Sequence, residues 1–322
     1  MSEAEAAAPV ASHPPVVAVV GPTGVGKSEL AENLALSLGG EIVSADSMQV
    51  YRGMDIGTAK RPLSERRVPY HCIDLVEPGA AYSAALYQRD ARAAFDDIHG
   101  RGRRPVLVGG TGLYVRAALD EMEFPDGEYD SPVRAEIENQ ADSLGPEGLH
   151  RLLEERDPES AALIHPNNIR RTVRALEMLA AGGPTHAHQV AHFTERRFSL
   201  PAILLGIMME RSALYRRIDE RVARMLEAGL LDEVADLLDS GYRDAMTASQ
   251  AIGYKELVPV IEGGADIDQA AESIRQATRR YAKRQLTWFR ADPRISWIDV
   301  TESSPEQALS AASALLESIG AM

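Results

Sequence analysis

The chain alternates between two hydrophobic periods. Val16–Val20, Pro105–Val108 and Ala202–Met208 are short apolar runs of strand length, Glu41–Ala45 reads as a further buried strand, and between them lie segments such as Ala84–His99 and Leu113–Leu119 whose apolar positions recur at helical spacing. Buried strands separated by amphipathic helices predict βαβ units and a parallel sheet. Between about Met122 and Leu200 the pattern changes. A loop rich in Pro, Gly and Asp gives way to short amphipathic helices near Val133–Leu144, Gly148–Glu155, Glu159–Ile164 and Ile169–Ala181, and strand character returns after Leu200. Arg211–Phe289 is mostly helical in pattern, and Leu309–Ile319 forms one more amphipathic segment. The expected organisation is a disordered tail over 1–15, an α/β core over 16–121 and 200–322, and a small helical domain inserted at 122–199.

The first strand runs into Gly21-Pro22-Thr23-Gly24-Val25-Gly26-Lys27-Ser28, and an amphipathic segment follows over Glu29–Leu38. This is the pattern of a P-loop. Its glycines let the backbone turn so that successive N–H groups and a helix N-terminus converge on anionic oxygens, Lys27 adds a charge, and the Ser28 hydroxyl can hold Mg²⁺. The expected fold is therefore a P-loop nucleoside-triphosphate-hydrolase-like α/β core with an ATP-type phosphate site. One feature of nucleotide hydrolases is missing: the strand Pro105–Val108 ends in Gly109-Gly110-Thr111-Gly112, where a Mg²⁺-holding carboxylate would stand. No guanine-reading Asn-Lys-x-Asp occurs either, which leaves a small kinase-like core acting on a diphosphate. The available carboxylate is Asp46, delivered to the carboxyl end of its strand, where open α/β sheets bind ligands. An aspartate after a strand also serves as a helix cap, and its place beside the P-loop is what favours a base.

Composition narrows the class. With 322 residues, 45% of them hydrophobic, the chain can bury a substantial core, and its one cysteine, Cys72, excludes internal disulfides and multi-thiolate zinc sites. The first fifteen residues carry Glu3 and Glu5 where a secretory signal needs positive charge, so a cytoplasmic protein is expected. A net charge of −14 argues against nucleic-acid binding, because cations supply much of that affinity. The cations are segregated, however. They cluster at Arg101, Arg103 and Arg104, at Arg170, Arg171 and Arg174, along Arg211–Arg224, and along Arg275–Arg290, a distribution that permits a basic channel on an acidic protein. Only four of the 34 basic residues are lysines, namely Lys27, Lys60, Lys255 and Lys283, and each falls inside a motif.

Those motifs are GPTGVGKS, SADSMQVYRGMDIGTAK, HCIDL, VGGTGLY, HPNNIRRTVRALE, QAIGYKE and YAKRQLTWF. In order and spacing, from about Val16 to Trp297, the chain resembles the bacterial tRNA dimethylallyltransferase family. The resemblance implies transfer of a dimethylallyl group from dimethylallyl diphosphate to N6 of the adenosine 3′-adjacent to the anticodon, in tRNAs reading codons that begin with U, by a monomer. It implies Mg²⁺ as cofactor, Asp46 as general base, Thr23 at the bridging oxygen, and Arg221 reaching back to the diphosphate. On the tRNA side it implies Asp46, Ser47, Met48 and Gln49 at the target adenine and Thr111 at its entry channel. Val133, Arg170, Arg171, Arg174, Gln250, Gly253, Lys255, Arg280 and Lys283 would contact the RNA, with the inserted domain gripping the anticodon stem-loop. After His165-Pro166-Asn167 this chain has Asn168-Ile169-Arg170 where relatives often carry Asp-Pro-Gln, so loop contacts there are open. Asp55 and Lys60 are open between functional and structural roles, Trp288 and Phe289 between base stacking and core packing. Two other readings share the P-loop: an isopentenyltransferase acting on free adenine nucleotides, and a nucleotide-binding RNA-interaction module without prenyl chemistry.

Overall fold

A computed structural model describes residues 13–124 and 132–321. Most of the tail expected at 1–15, and most of the Pro, Gly and Asp loop before the inserted helices, lie outside the described residues. Among the described residues no helix is long and apolar enough to cross a membrane.

The strands are β1 (Val16–Val20), β2 (Glu41–Ala45), β3 (Tyr70–His71), β4 (Pro105–Gly109), β5 (Ala202–Met208) and β6 (Ile295–Asp299). They form one parallel sheet in the order β3-β2-β4-β1-β5-β6. Every residue of β1, β2 and β4 is buried, as expected of strands covered on both faces. Between β1 and β2 runs α1 (Lys27–Ser37), and between β3 and β4 runs α2 (Ala84–Gly100), which Ser83 caps by accepting the Leu86 N–H. The step from β1 to β2 and the step from β2 to β4 go opposite ways across the sheet, so right-handed crossovers place α1 and α2 on opposite faces. On the α1 side, Leu30 and Leu34 join Val17, Val106 and Ile207 in the main core.

The chain continues through α3 (Gly112–Leu119), α4 (Pro132–Arg156), α5 (Pro158–Ala162), α6 (Ile169–Ala180) and α7 (His186–Thr194) before β5. Helix α4 is broken at Gly145, whose φ of 67° precedes Pro146, so it is two helices close to the two read from the pattern. After β5 come α8 (Arg211–Glu227), α9 (Leu230–Leu238), α10 (Val258–Ile261) and α11 (Ile267–Arg290), and α12 (Pro305–Ser318) follows β6. The chain divides into two compact units, one made of residues 1–119 and 198–322 and the other of Asp120–Arg197. The second has its own core, in which Ile137, Leu149 and Leu153 of α4 meet Val173 and Leu176 of α6.

β3 and β6 were not legible in the sequence. β3 has two residues, and β6 is an edge strand whose Ile295 and Ile298 are buried while Ser296 and Asp299 are exposed, too short an alternation to stand out. The Arg101, Arg103 and Arg104 cluster is not part of a basic channel at the carboxyl ends of the strands. It sits where β2 and β4 begin, and Arg101 makes a bidentate pair with Glu41 while Arg104 donates to the carbonyl of Ala321.

Candidate active site

Three strands of the sheet end in turns that converge: β1 in the P-loop, β2 in Asp46 and β4 in Gly110-Thr111. The P-loop closes on α1 through Gly26, whose φ of 101° is a left-handed conformation that disfavours any other residue. Lys27 folds back to donate to the Pro22 carbonyl at 2.7 Å, which holds its ammonium over the loop. Met48 N–H donates to the Asp46 carboxylate at 2.9 Å, and Ser47 N–H donates to the Thr111 hydroxyl at 3.1 Å, so the β2 and β4 turns are tied together.

Helix α8 brings in Arg221, which donates to the Thr23 hydroxyl at 3.0 Å. The buried environment of Lys27 lowers its pKa to about 7; Asp46 opposes the shift and Arg221 adds to it. Burial likewise lowers the Arg221 pKa, again opposed by Asp46. Two partly buried cations therefore share one carboxylate. Their positive charge is not balanced by Asp46 alone, and a polyanion would complete it.

Two recesses open here. The smaller, about 100 Å³, is walled by Lys27, Ser28, Ser44, Gln49 and Lys60, and the larger, about 370 Å³, by Ser47, Met48, Gly253, Lys255 and Arg280 among others. Thr23, Asp46, Thr58, Arg221 and Tyr281 line both. Asp46 thus stands on the wall between a cationic, P-loop-based recess and a roomier one with apolar lining from Val222, Met225 and Ile274. Such a boundary is where two substrates can meet.

The P-loop residues 21–28, Asp46, Ser47, Met48, Thr111, Arg221, Gln250, Gly253, Lys255 and Arg280 all belong to this unit, and Lys283 is exposed on α11 beyond the recesses. Gln49 differs from its neighbours. Its amide is spent inside the smaller recess, accepting from the Ser44 hydroxyl at 2.8 Å and donating to the Thr58 carbonyl at 3.2 Å. Val133, Arg170, Arg171 and Arg174 belong to the second unit, where Arg170 and Arg171 are exposed and Arg174 pairs with Glu177 at 2.9 Å. Phe289 is buried and Trp288 is 40% exposed.

Lys60 is an anchor. Its side chain is 3% exposed and its ammonium binds the Tyr51 carbonyl, Asp55 at 2.8 Å and Asp74 at 2.6 Å. Of the non-glycine residues with positive φ among the described residues, Ala59 precedes Lys60 in the chain and Asp74 is its ion-pair partner, and the third, Cys72, lies two residues before Asp74. Backbone strain of this kind persists where surrounding contacts over-determine it, and at Asp74 the ammonium supplies one of them.

Sequence reading missed Gln285. On α11, 6% exposed, it accepts the Thr23 N–H at 2.8 Å and donates to the Gly110 carbonyl at 2.9 Å, clamping the P-loop to the β4 turn. Tyr281, one turn earlier, lines both recesses, and burial beside Asp46 pushes its pKa up to about 12. The signal was the motif YAKRQLTWF itself, whose glutamine stands among more conspicuous cations.

Residues 49–292 match the IPP transferase family and residues 14–68 the isopentenyl transferase family. A tRNA dimethylallyltransferase of Geobacillus thermodenitrificans is 49% identical over 89% of this chain and 91% of its own length. One of Kocuria rhizophila is 49% identical over 92% and 93%. Among solved structures, the full-length tRNA isopentenylpyrophosphate transferase of Bacillus halodurans superimposes with a TM-score of 0.69 at 42% identity, covering 94% of this chain and 96% of that one. A eukaryotic dimethylallyltransferase acting on tRNA gives 0.80 at 29% identity, covering 95% and 79%.

Proposed function

The chain belongs to the IPP transferase family, together with its tRNA dimethylallyltransferase relatives, and from that premise we propose how its own residues carry out prenyl transfer to tRNA. The observation that carries the reading is the shared wall: Asp46, Thr23 and Arg221 stand between a cationic P-loop recess and a larger, partly apolar one. The donor, dimethylallyl diphosphate, places its diphosphate on the P-loop amides, Lys27 and Arg221. The adenosine 3′-adjacent to the anticodon, in tRNAs reading codons that begin with U, enters the larger recess.

In the transfer the N6 lone pair forms a bond to the allylic carbon as that carbon's bond to the bridging oxygen breaks, and the electron pair leaves with the diphosphate. Thr23, oriented by Arg221, faces that oxygen, and Lys27 and Arg221 stabilise the charge that develops on it. The proton lost from N6 goes to the Asp46 carboxylate. The lining fits a hard, hydrated cation: the Ser28 hydroxyl opens into the smaller recess beside Asp46, and Ser28 would hold Mg²⁺ there. When bound it supplies further neutralisation of the leaving group.

The exposed Arg170 and Arg171 of the second unit, with Val133 and Arg174, supply a surface for the anticodon stem-loop, and a free nucleotide has no use for one. Incubation with labelled dimethylallyl diphosphate and either bulk tRNA or AMP tests the assignment. Label should appear in tRNA; label confined to AMP would overturn it.

A further inference from the structure

The loop that separates the two recesses is held by a carboxylate that lines neither of them. Glu233, on α9, accepts the N–H groups of Asp55 at 3.0 Å and Ile56 at 2.7 Å through one oxygen. Its other oxygen accepts the Gly57 N–H at 3.2 Å and the Tyr254 hydroxyl at 2.6 Å. Three successive amides turned toward one point make an anion-binding concavity, and here a side chain from 176 residues away fills it. The fit is close: a Cβ on Gly57 would lie 2.3 Å from the Tyr254 ring, so only glycine lets the loop pack against that ring.

We propose that Glu233 is a positioning residue for the acceptor side of the reaction, a proposal that rests on the tRNA reading above. Gly57 and Tyr254 line the larger recess, and the next residue, Thr58, lines both. The donor side is also held by contacts that do not involve the residues bound to Glu233: Lys27 on the Pro22 carbonyl within the P-loop, and Lys60 on Asp74 and the Tyr51 carbonyl. Releasing Glu233 therefore moves the wall that orients the adenine while leaving the diphosphate contacts in place. The effect falls on one substrate.

Glu233→Gln keeps the shape and replaces an acceptor oxygen by an NH₂ that faces N–H donors. Tyr254→Phe removes a single bond and keeps the ring against Gly57. In the full chain, kcat and KM for tRNA, the donor Kd and the Tm would be measured beside wild type. Glu233→Gln should lower kcat/KM for tRNA by roughly tenfold or more while the donor Kd stays within about twofold, and Tyr254→Phe should lower it by roughly threefold, as misplacement of a reacting partner does. A purely structural tie would move the Tm alone. Unchanged kcat/KM for tRNA, or an equal loss of donor binding, would overturn the proposal, and if Glu233→Gln does not fold the same criteria apply to Tyr254→Phe. A wild-type protein that labels AMP instead of tRNA overturns the reading beneath it; a wild type that labels tRNA beside an indifferent Glu233→Gln overturns the proposal alone.

Discussion

At the scale of single residues, the site separates groups that would touch substrate from groups that hold them. Asp46 is of the first kind. Asp46→Asn keeps the acceptor oxygen that caps the Met48 N–H, so the fold and the P-loop should persist while transfer falls roughly a hundredfold or more, the usual effect of removing a positioned base. Single-turnover transfer with donor binding measured in parallel checks it, and normal turnover would refute the base assignment. Gln285 is of the second kind. Glu in its place can still accept from Thr23 but sets an oxygen against the Gly110 carbonyl where an N–H now lies 2.9 Å away. A loss of about 1–3 kcal/mol in unfolding free energy is expected from the broken buried bond, together with weaker donor binding as the P-loop shifts. Denaturant unfolding and donor titration read both.

Elements are joined at the far end of the sheet by a different device. Glu41, the first residue of β2 and 1% exposed, is held by Arg101, Arg103 and His71, and the Arg101 bonds above all keep its carboxyl below the usual range against the opposing effect of burial. Because the folded value is depressed, the unfolded chain takes up the proton first as pH falls. The contribution to stability is therefore complete above the ordinary carboxylate value of about 4.3 and is lost as pH drops through the lower folded value. The Tm should decline through that acidic window, and Glu41→Gln should lower stability at pH 7 while flattening the decline. Thermal scans from pH 3 to 7, where the two proteins would otherwise run parallel, decide the matter.

On the scale of the whole molecule, the chain leaves the P-loop unit after Leu119 and returns at Phe198. The two ends meet there: the Ser199 N–H donates to the Leu119 carbonyl at 2.8 Å. A short Gly/Ser linker can therefore replace Asp120–Arg197 with little strain, since closure entropy grows only logarithmically with loop length. The shortened protein should unfold cooperatively and bind dimethylallyl diphosphate with near-native affinity, and it should lose most tRNA affinity and its transfer activity. Wild-type tRNA affinity in that protein would remove the second unit from RNA binding.

Local chemistry carried much of this in one dimension. The P-loop declares itself because its glycines, lysine and serine act through backbone geometry within eight consecutive residues, and β1, β4 and β5 declare themselves because buried central strands are apolar along their length. Asp46 was legible for the same reason, as the residue on which a strand ends beside that loop. Gln285, Glu233 and Tyr254 were not. Each acts on a segment more than 170 residues away, or on one that does, and a hydrogen bond to a distant backbone amide leaves no period or composition in the sequence. The same holds for the arginines: Arg101 and Arg280 are alike along the chain, and only the parallel sheet, with its amino ends on one edge and its carboxyl ends on the other, commits the first to Glu41 and the second to the larger recess.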